Sequence, residues 1–218
     1  MTPTNAYGDL QRMNRAIVTT REAAARWQTA QGTAGRRLRG MEEAGLVRRL
    51  RRGLWALDPD VAPFAVAPYL TAPFPAYVSF FSALSRHDMI EQIPRQISVA
   101  SLDRAQRITT TVGTYEIHHL APGLFGGYEG SEESGYLATP EKALFDAVYV
   151  RAAAGSRAFF PELSLPRDFD DAQIKEWIGR IESARLRTLV SRRLRETLRQ
   201  TSRENSLLSA KTAASGRV

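Results

Sequence analysis

Residues 45–58 read GLVRRLRRGLWALD, from Gly45 to Asp58. Two apolar runs, Leu46-Val47 and Leu54 to Leu57, flank four arginines and a glycine. Like charges at that density repel one another, so the stretch makes sense when a polyanion lies against it. Val47 to Leu50 and Leu54 to Leu57 fit the strands of a tight hairpin, with Gly53 supplying the positive φ of its turn.

The residues before the hairpin read as three helices. Leu10, Met13, Ala16 and Ile17 fall at helical spacing behind Asp9 and predict a first helix. Thr19 and Glu22 form a capping box that opens a second, Thr20 to about Trp27. Thr29 is the expected cap of a third, in which Ala34, Leu38 and Met41 share one face and Gly45 supplies the left-handed stop. With Leu38 pointing inward, Arg36 and Gly40 point nearly opposite, and Arg37 and Arg39 lie on the flanks. Trp27 and Trp55 are expected in the core.

Three helices followed by a charged hairpin predict a winged helix-turn-helix over residues 1–58, whose third helix enters the major groove of double-stranded DNA. The candidate DNA-binding residues are Gln31, Thr33, Arg36, Arg37 and Arg39 on the helix, and Arg48, Arg49, Arg51 and Arg52 on the wing. Gln31, Thr33, Arg36 and Arg37 are placed at base edges or nearby phosphates, and the wing arginines at the backbone. No exposed aromatic platform interleaves with the basic residues, which argues against a single-strand RNA reader.

The charge distribution agrees. The chain of 218 residues carries +7 overall, made up of +6 in residues 1–58, −3 in 59–160 and +4 in 161–218. An acidic middle between basic ends suggests a nucleic-acid-binding end joined to a part with another task. There is no cysteine, which excludes disulfides, thiolate zinc sites and cysteine nucleophiles. No apolar run approaches the ~20 residues that span a bilayer, and no signal peptide is recognisable, so a cytoplasmic protein without membrane contact is expected.

Residues 59–76 carry five prolines between residues 59 and 75 and little charge, and predict an extended linker. Residues 77–200 predict a mixed α/β unit with terminal helices, giving an α+β fold overall. Tyr77 to His87 reads as a buried helix and Ile97 to Ala100 as a strand. Arg107 to Thr111 and Thr114 to Leu120 read as a hairpin, and Tyr136 to Ala138 as another strand. Thr139-Pro140-Glu141 opens a helix to about Ala153, followed by helices over Asp171 to Ile181 and Ser183 to Gln200. Residues 201–218, rich in Ser, Ala and Gly, are expected to be a flexible tail.

The order GLVRRLRRGLWAL, YVSFFSALSRHDMIEQIPRQISVAS, RITTTVGTYEIHHL, YLATPEKALFDAVY resembles the AbiEi antitoxins of bacterial type IV toxin-antitoxin pairs over roughly residues 8–151. The resemblance implies a winged helix that binds repeats in its own promoter and represses the operon. It also implies a C-terminal domain that counters a nucleotidyltransferase-like toxin encoded beside it. By position, Ser79, Phe80, His87, Thr139, Glu141, Lys142 and Asp146 fall in that antitoxin domain.

Catalysis finds little footing. His118 and His119 are neighbours in an expected strand and point to opposite faces, so they cannot share a metal, and His87 is the only other histidine. Glu141 and Lys142 invite a nuclease reading, yet consecutive helical residues diverge by about 100°. Glu141 is better placed to meet a positive helix end, and Asp146 to pair with a neighbouring base. The expectation is a DNA-binding autorepressor and antitoxin without enzymatic activity, cofactor or metal. The alternative is a stand-alone winged-helix transcription factor whose C-terminal domain senses a ligand.

Overall fold

The Thr19 hydroxyl accepts the Glu22 amide at 3.1 Å while the Glu22 carboxylate takes the Thr19 amide at 2.7 Å, closing the expected capping box at the start of α2 (Thr20–Arg26). The computed structural model describes residues 3–157, 160 and 163–215, with side chains described as far as residue 201. The chain is α+β, with eight α-helices and two sheets among the described residues. Helix α3 (Gln31–Glu43) buries Ala34, Leu38 and Met41 as the periodicity predicts. It ends where Gly45 takes φ +70, letting the amides of Gly45 and Leu46 reach the carbonyls of Glu42 and Met41 at 2.9 Å each. Its start differs from expectation: Ala30 occupies the cap position and makes no side-chain bond.

The first helix also lies elsewhere. α1 spans Pro3–Gln11, Asn14 turns the chain at φ +51, and Ile17–Thr19 forms strand β1 instead of the helix end read from Leu10 to Ile17. Ile17 and Val18 are β-branched and alternate, Ile17 facing one core cluster and Val18 another, which suits a pleated strand. β1 pairs antiparallel with β3 (Leu54–Ala56), which pairs in turn with β2 (Arg48–Arg51), in the order β1-β3-β2. Gly53 turns the β2–β3 hairpin at φ +80.

Residues 59–76, expected as an extended linker, contain helix α4 (Pro63–Leu70). Pro63 stands at its first position, where no donor is needed, and Ala65, Val66, Ala67 and Leu70 are buried. Burial of that apolar face outweighs the internal Pro68. The expected helix from Tyr77 to His87 is split: Ala76–Val78 is strand β4, and α5 runs Phe80–Arg86.

β4 lies inside a six-stranded mixed sheet ordered β6-β7-β5-β4-β9-β8. Its other members are β5 (Ile97–Ser101), β6 (Gln106–Thr110), β7 (Gly113–His119), β8 (Tyr128–Ser131) and β9 (Gly135–Ala138). One face packs on α5, α6 (Pro140–Ala153), α7 (Asp171–Gly179) and α8 (Ala184–Ser215) through Tyr77, Ala100 and Ala138. The other face turns Val78, Val99, Tyr115 and Ile117 toward α4 and toward Ile17, Leu50, Leu54 and Ala56 of the small sheet. The two sheets therefore share one apolar core. α8 continues as helix to Ser215, past the end expected at Gln200 and through most of the stretch read as a flexible tail. Its polar, arginine-rich turns leave no helix among the described residues long and apolar enough to cross a membrane.

Candidate functional site

The outward side of α3 and the tip of the β2–β3 hairpin carry the candidate DNA-binding residues. Gln31, Arg36 and Arg39 are exposed, and Arg51 and Arg52 are exposed at the hairpin tip. Arg36 donates to the Thr33 hydroxyl at 3.1 Å, a weak tie between two candidates one turn apart. Arg37 places its guanidinium 5.7 Å from the centre of the Trp27 ring, and Arg49 does the same over Trp55, so both are steered by aromatic faces. Trp55 is 3% exposed and gives its indole N–H to Thr20 at 2.9 Å, a core residue as expected. Trp27 is only partly buried against the same helical core, and its buried Nε1 has no hydrogen-bond partner.

Arg48 departs from the group. Its guanidinium donates to the carbonyls of Pro59 at 3.3 Å and Thr111 at 3.0 Å, so it joins the hairpin to the six-stranded sheet instead of standing free. Spacing alone put it beside Arg49, and the long-range partner was not visible in the sequence.

A second cluster gathers three of the seven residues that the family resemblance placed in the C-terminal part. Lys142 and Asp146 lie one turn apart on α6, both fully buried, and form an ion pair. The other Asp146 oxygen accepts the Ser79 hydroxyl at 2.8 Å and the Tyr77 hydroxyl at 3.1 Å, both from the β4 segment. Lys142 Nζ stands 4.4 Å from the centre of the Trp177 ring, 5.2 Å from Phe145 and 5.7 Å from Tyr77. Burial pushes the Asp146 carboxyl up and the Lys142 amine down, and the mutual attraction opposes both shifts. Burial and the Asp146 charge push the Tyr77 phenol far up as well, so it remains a donor. The cluster binds α6 to β4 and α7.

The other four residues stand apart from it. Thr139 caps α6 by accepting the Lys142 amide at 3.3 Å. Glu141 sits in the first turn of α6, and its carboxylate takes the amide of Asp170 at 2.9 Å, where α7 begins. His87 contacts the Ala138 carbonyl at 2.7 Å. Phe80 sits at φ +56 with its ring 4.5 Å from that of His118, whose pKa burial lowers. Tyr77 and Trp177 complete the buried cluster and were missed, because Tyr77 was read into a helix and Trp177 lies far along the chain.

No group of three or more His, Cys, Asp or Glu side chains is placed to hold a metal ion among the described residues. An open groove of about 590 Å³ runs beside α5, lined among others by Phe64, Arg86, Asp88 and the 83% exposed Ile93. No family model matches the chain, and no curated protein gives a significant match.

Proposed function

We propose that residues 1–58 form a winged helix-turn-helix that binds double-stranded DNA, with α3 as the reading helix and β2–β3 as the wing. The order α1-β1-α2-α3-β2-β3, closed by the sheet β1-β3-β2, supports the reading. The observation that carries it is the pairing of an exposed α3 face bearing Gln31, Arg36 and Arg39 with an exposed hairpin tip bearing Arg51 and Arg52. Neither set of side chains is consumed by packing, and both suit a phosphate-lined groove. Arg48 leaves the DNA-facing group because its donors are engaged within the chain.

In this reading the protein is an autorepressor of its own promoter repeats. Following the resemblance to the AbiEi antitoxins, its C-terminal part counters a nucleotidyltransferase-like toxin, and no residue is assigned a chemical step.

The test is fluorescence anisotropy with the chain's own upstream DNA and a scrambled duplex over a salt series. The expected result is tight, salt-sensitive binding that prefers the upstream fragment. Replacing Arg51 and Arg52 by alanine weakens both duplexes alike and shallows the salt slope by about 0.9 for each phosphate left unneutralised. Arg36→Ala instead erodes discrimination, by ~1–3 kcal/mol for a bidentate guanine contact. Equal, weak binding of the unaltered chain to both duplexes overturns the DNA reading, and identical behaviour of the two variants overturns the division into reader and clamp.

A further inference from the structure

The outer strands of the two sheets lie against each other, and Thr111, just past β6, ties them together by hydrogen bonds. β2 is the edge of the three-stranded sheet and β6 an edge of the six-stranded one, and the turn after β6 rests on β2. Thr111 in that turn gives its amide to the Leu50 carbonyl at 2.9 Å and its hydroxyl to the Arg49 carbonyl at 2.8 Å. Its own carbonyl accepts Arg48 at 3.0 Å. The turn is braced from within, since the Thr110 hydroxyl donates to Gly113 O at 3.0 Å and accepts the Val112 amide at 3.2 Å.

The place of contact matters. Register between β2 and β3 slips between Arg49 and Arg51, so Leu50 is the extra residue of a bulge. A bulge leaves ladder groups unpaired and re-aims the residues that follow it. Thr111 occupies the carbonyls of Arg49 and Leu50 on that irregular segment, and the next two residues are Arg51 and Arg52 at the tip. Thr111 is itself exposed, so no burial requirement accounts for three bonds across some sixty residues of chain.

The geometry points to the β6–β7 turn as a positioning element for the wing, with Thr111 holding the bulge that aims Arg51 and Arg52. The part of this that concerns DNA rests on the proposed function.

The test uses the full chain with Thr111→Val, which keeps shape and amide but loses the hydroxyl, and Thr111→Ser, which keeps both donors. Amide hydrogen exchange in the free protein is followed at residues 51–54 and, as a reference, at residues 143–153 of α6. Thr111→Val speeds exchange at the wing about fivefold, the ratio for one neutral hydrogen bond, and leaves the reference unchanged. On the upstream duplex it weakens binding by a similar factor and shallows the salt slope, while Thr111→Ser restores exchange, affinity and slope.

Wing exchange unchanged in Thr111→Val, or equal loss in Thr111→Ser, overturns the role of the hydroxyl. Faster wing exchange with unaltered affinity and slope overturns the positioning of the arginines. If the unaltered chain shows no preference for the upstream duplex, the DNA reading falls, whereas the exchange result still decides whether Thr111 holds the wing.

Discussion

Lys142→Met keeps the side-chain stem among Tyr77, Phe145 and Trp177 and removes only the ammonium. Asp146 then keeps the hydroxyls of Ser79 and Tyr77 but loses its counter-charge in a site without solvent access. Breaking a buried pair by removing one partner costs about 3–5 kcal/mol. The carboxylate can relieve part of that cost by taking up a proton. Its pKa is already raised by burial, and losing the lysine raises it further above the unfolded value.

A carboxyl raised in the folded state stabilises below its unfolded pKa and loses that contribution as pH rises through the folded one. The deficit of Lys142→Met against the unaltered chain is therefore largest near neutral pH and shrinks toward pH ~4. Adding Asp146→Asn, which still accepts both hydroxyls, recovers ~0.5–3 kcal/mol at neutral pH. The assay is urea unfolding of the three proteins from pH 4 to 7.5, followed by circular dichroism and by tryptophan fluorescence, to which Trp177 contributes beside the lysine. A deficit under about 1 kcal/mol at pH 7, or one indifferent to both pH and Asp146→Asn, would refute the reasoning.

The same cluster makes Gly127 sensitive. It stands at φ +69, where a Cβ would meet Trp177 Cζ2 at 2.7 Å and Lys142 Cγ at 3.1 Å, so Gly127→Ala is expected to cost about 2–4 kcal/mol in urea unfolding. At alkaline pH, Tyr69 is the group to watch: burial and then the Glu132 charge push its phenol from 10.0 up to about 12. Its contribution is complete below pH 10 and is lost as pH rises through 12, so the unaltered chain should lose stability relative to Tyr69→Phe across that window. Paired melts at pH 9 and 11.5 check the sign.

Local signals in the sequence placed several elements closely. The Thr19–Glu22 box, the Thr139-Pro140 start of α6 and the Gly45 stop each act through atoms a few residues apart, and the structure has all three. What the sequence hid depends on distant partners. Ile17 continues a helical spacing, yet pairing with Ala56 makes it the start of a strand. Tyr77 and Val78 read as a helix until β5 and β9 lie on either side of them. The prolines of residues 59–76 suggested an extended link, whereas the apolar side chains between them are enough to bury a helix.

The candidate site divides in the same way. Arg36, Arg39, Arg51 and Arg52 were legible because their exposure follows from helix phase and turn position. The bonding of Arg48 to Thr111 was not, since sixty-three positions separate the two. Lys142 and Asp146 stand at helical spacing, but an i,i+4 ion pair is usually a solvated surface feature. Only the packing of Trp177 and Tyr77 around them makes it a buried one.

The core shared between the two sheets bears on how such a protein can be inherited. Ile17, Leu50, Leu54 and Ala56 are covered by α4 and by the six-stranded sheet, so residues 1–58 taken alone would turn apolar side chains to water. A gene fusion cut at residue 58 would therefore move the first sheet without the surface that covers its apolar face. Recombination that carries α4 and the β6–β7 hairpin along with the first sheet keeps that surface, and lineages of this architecture should exchange the two halves together far more readily than apart.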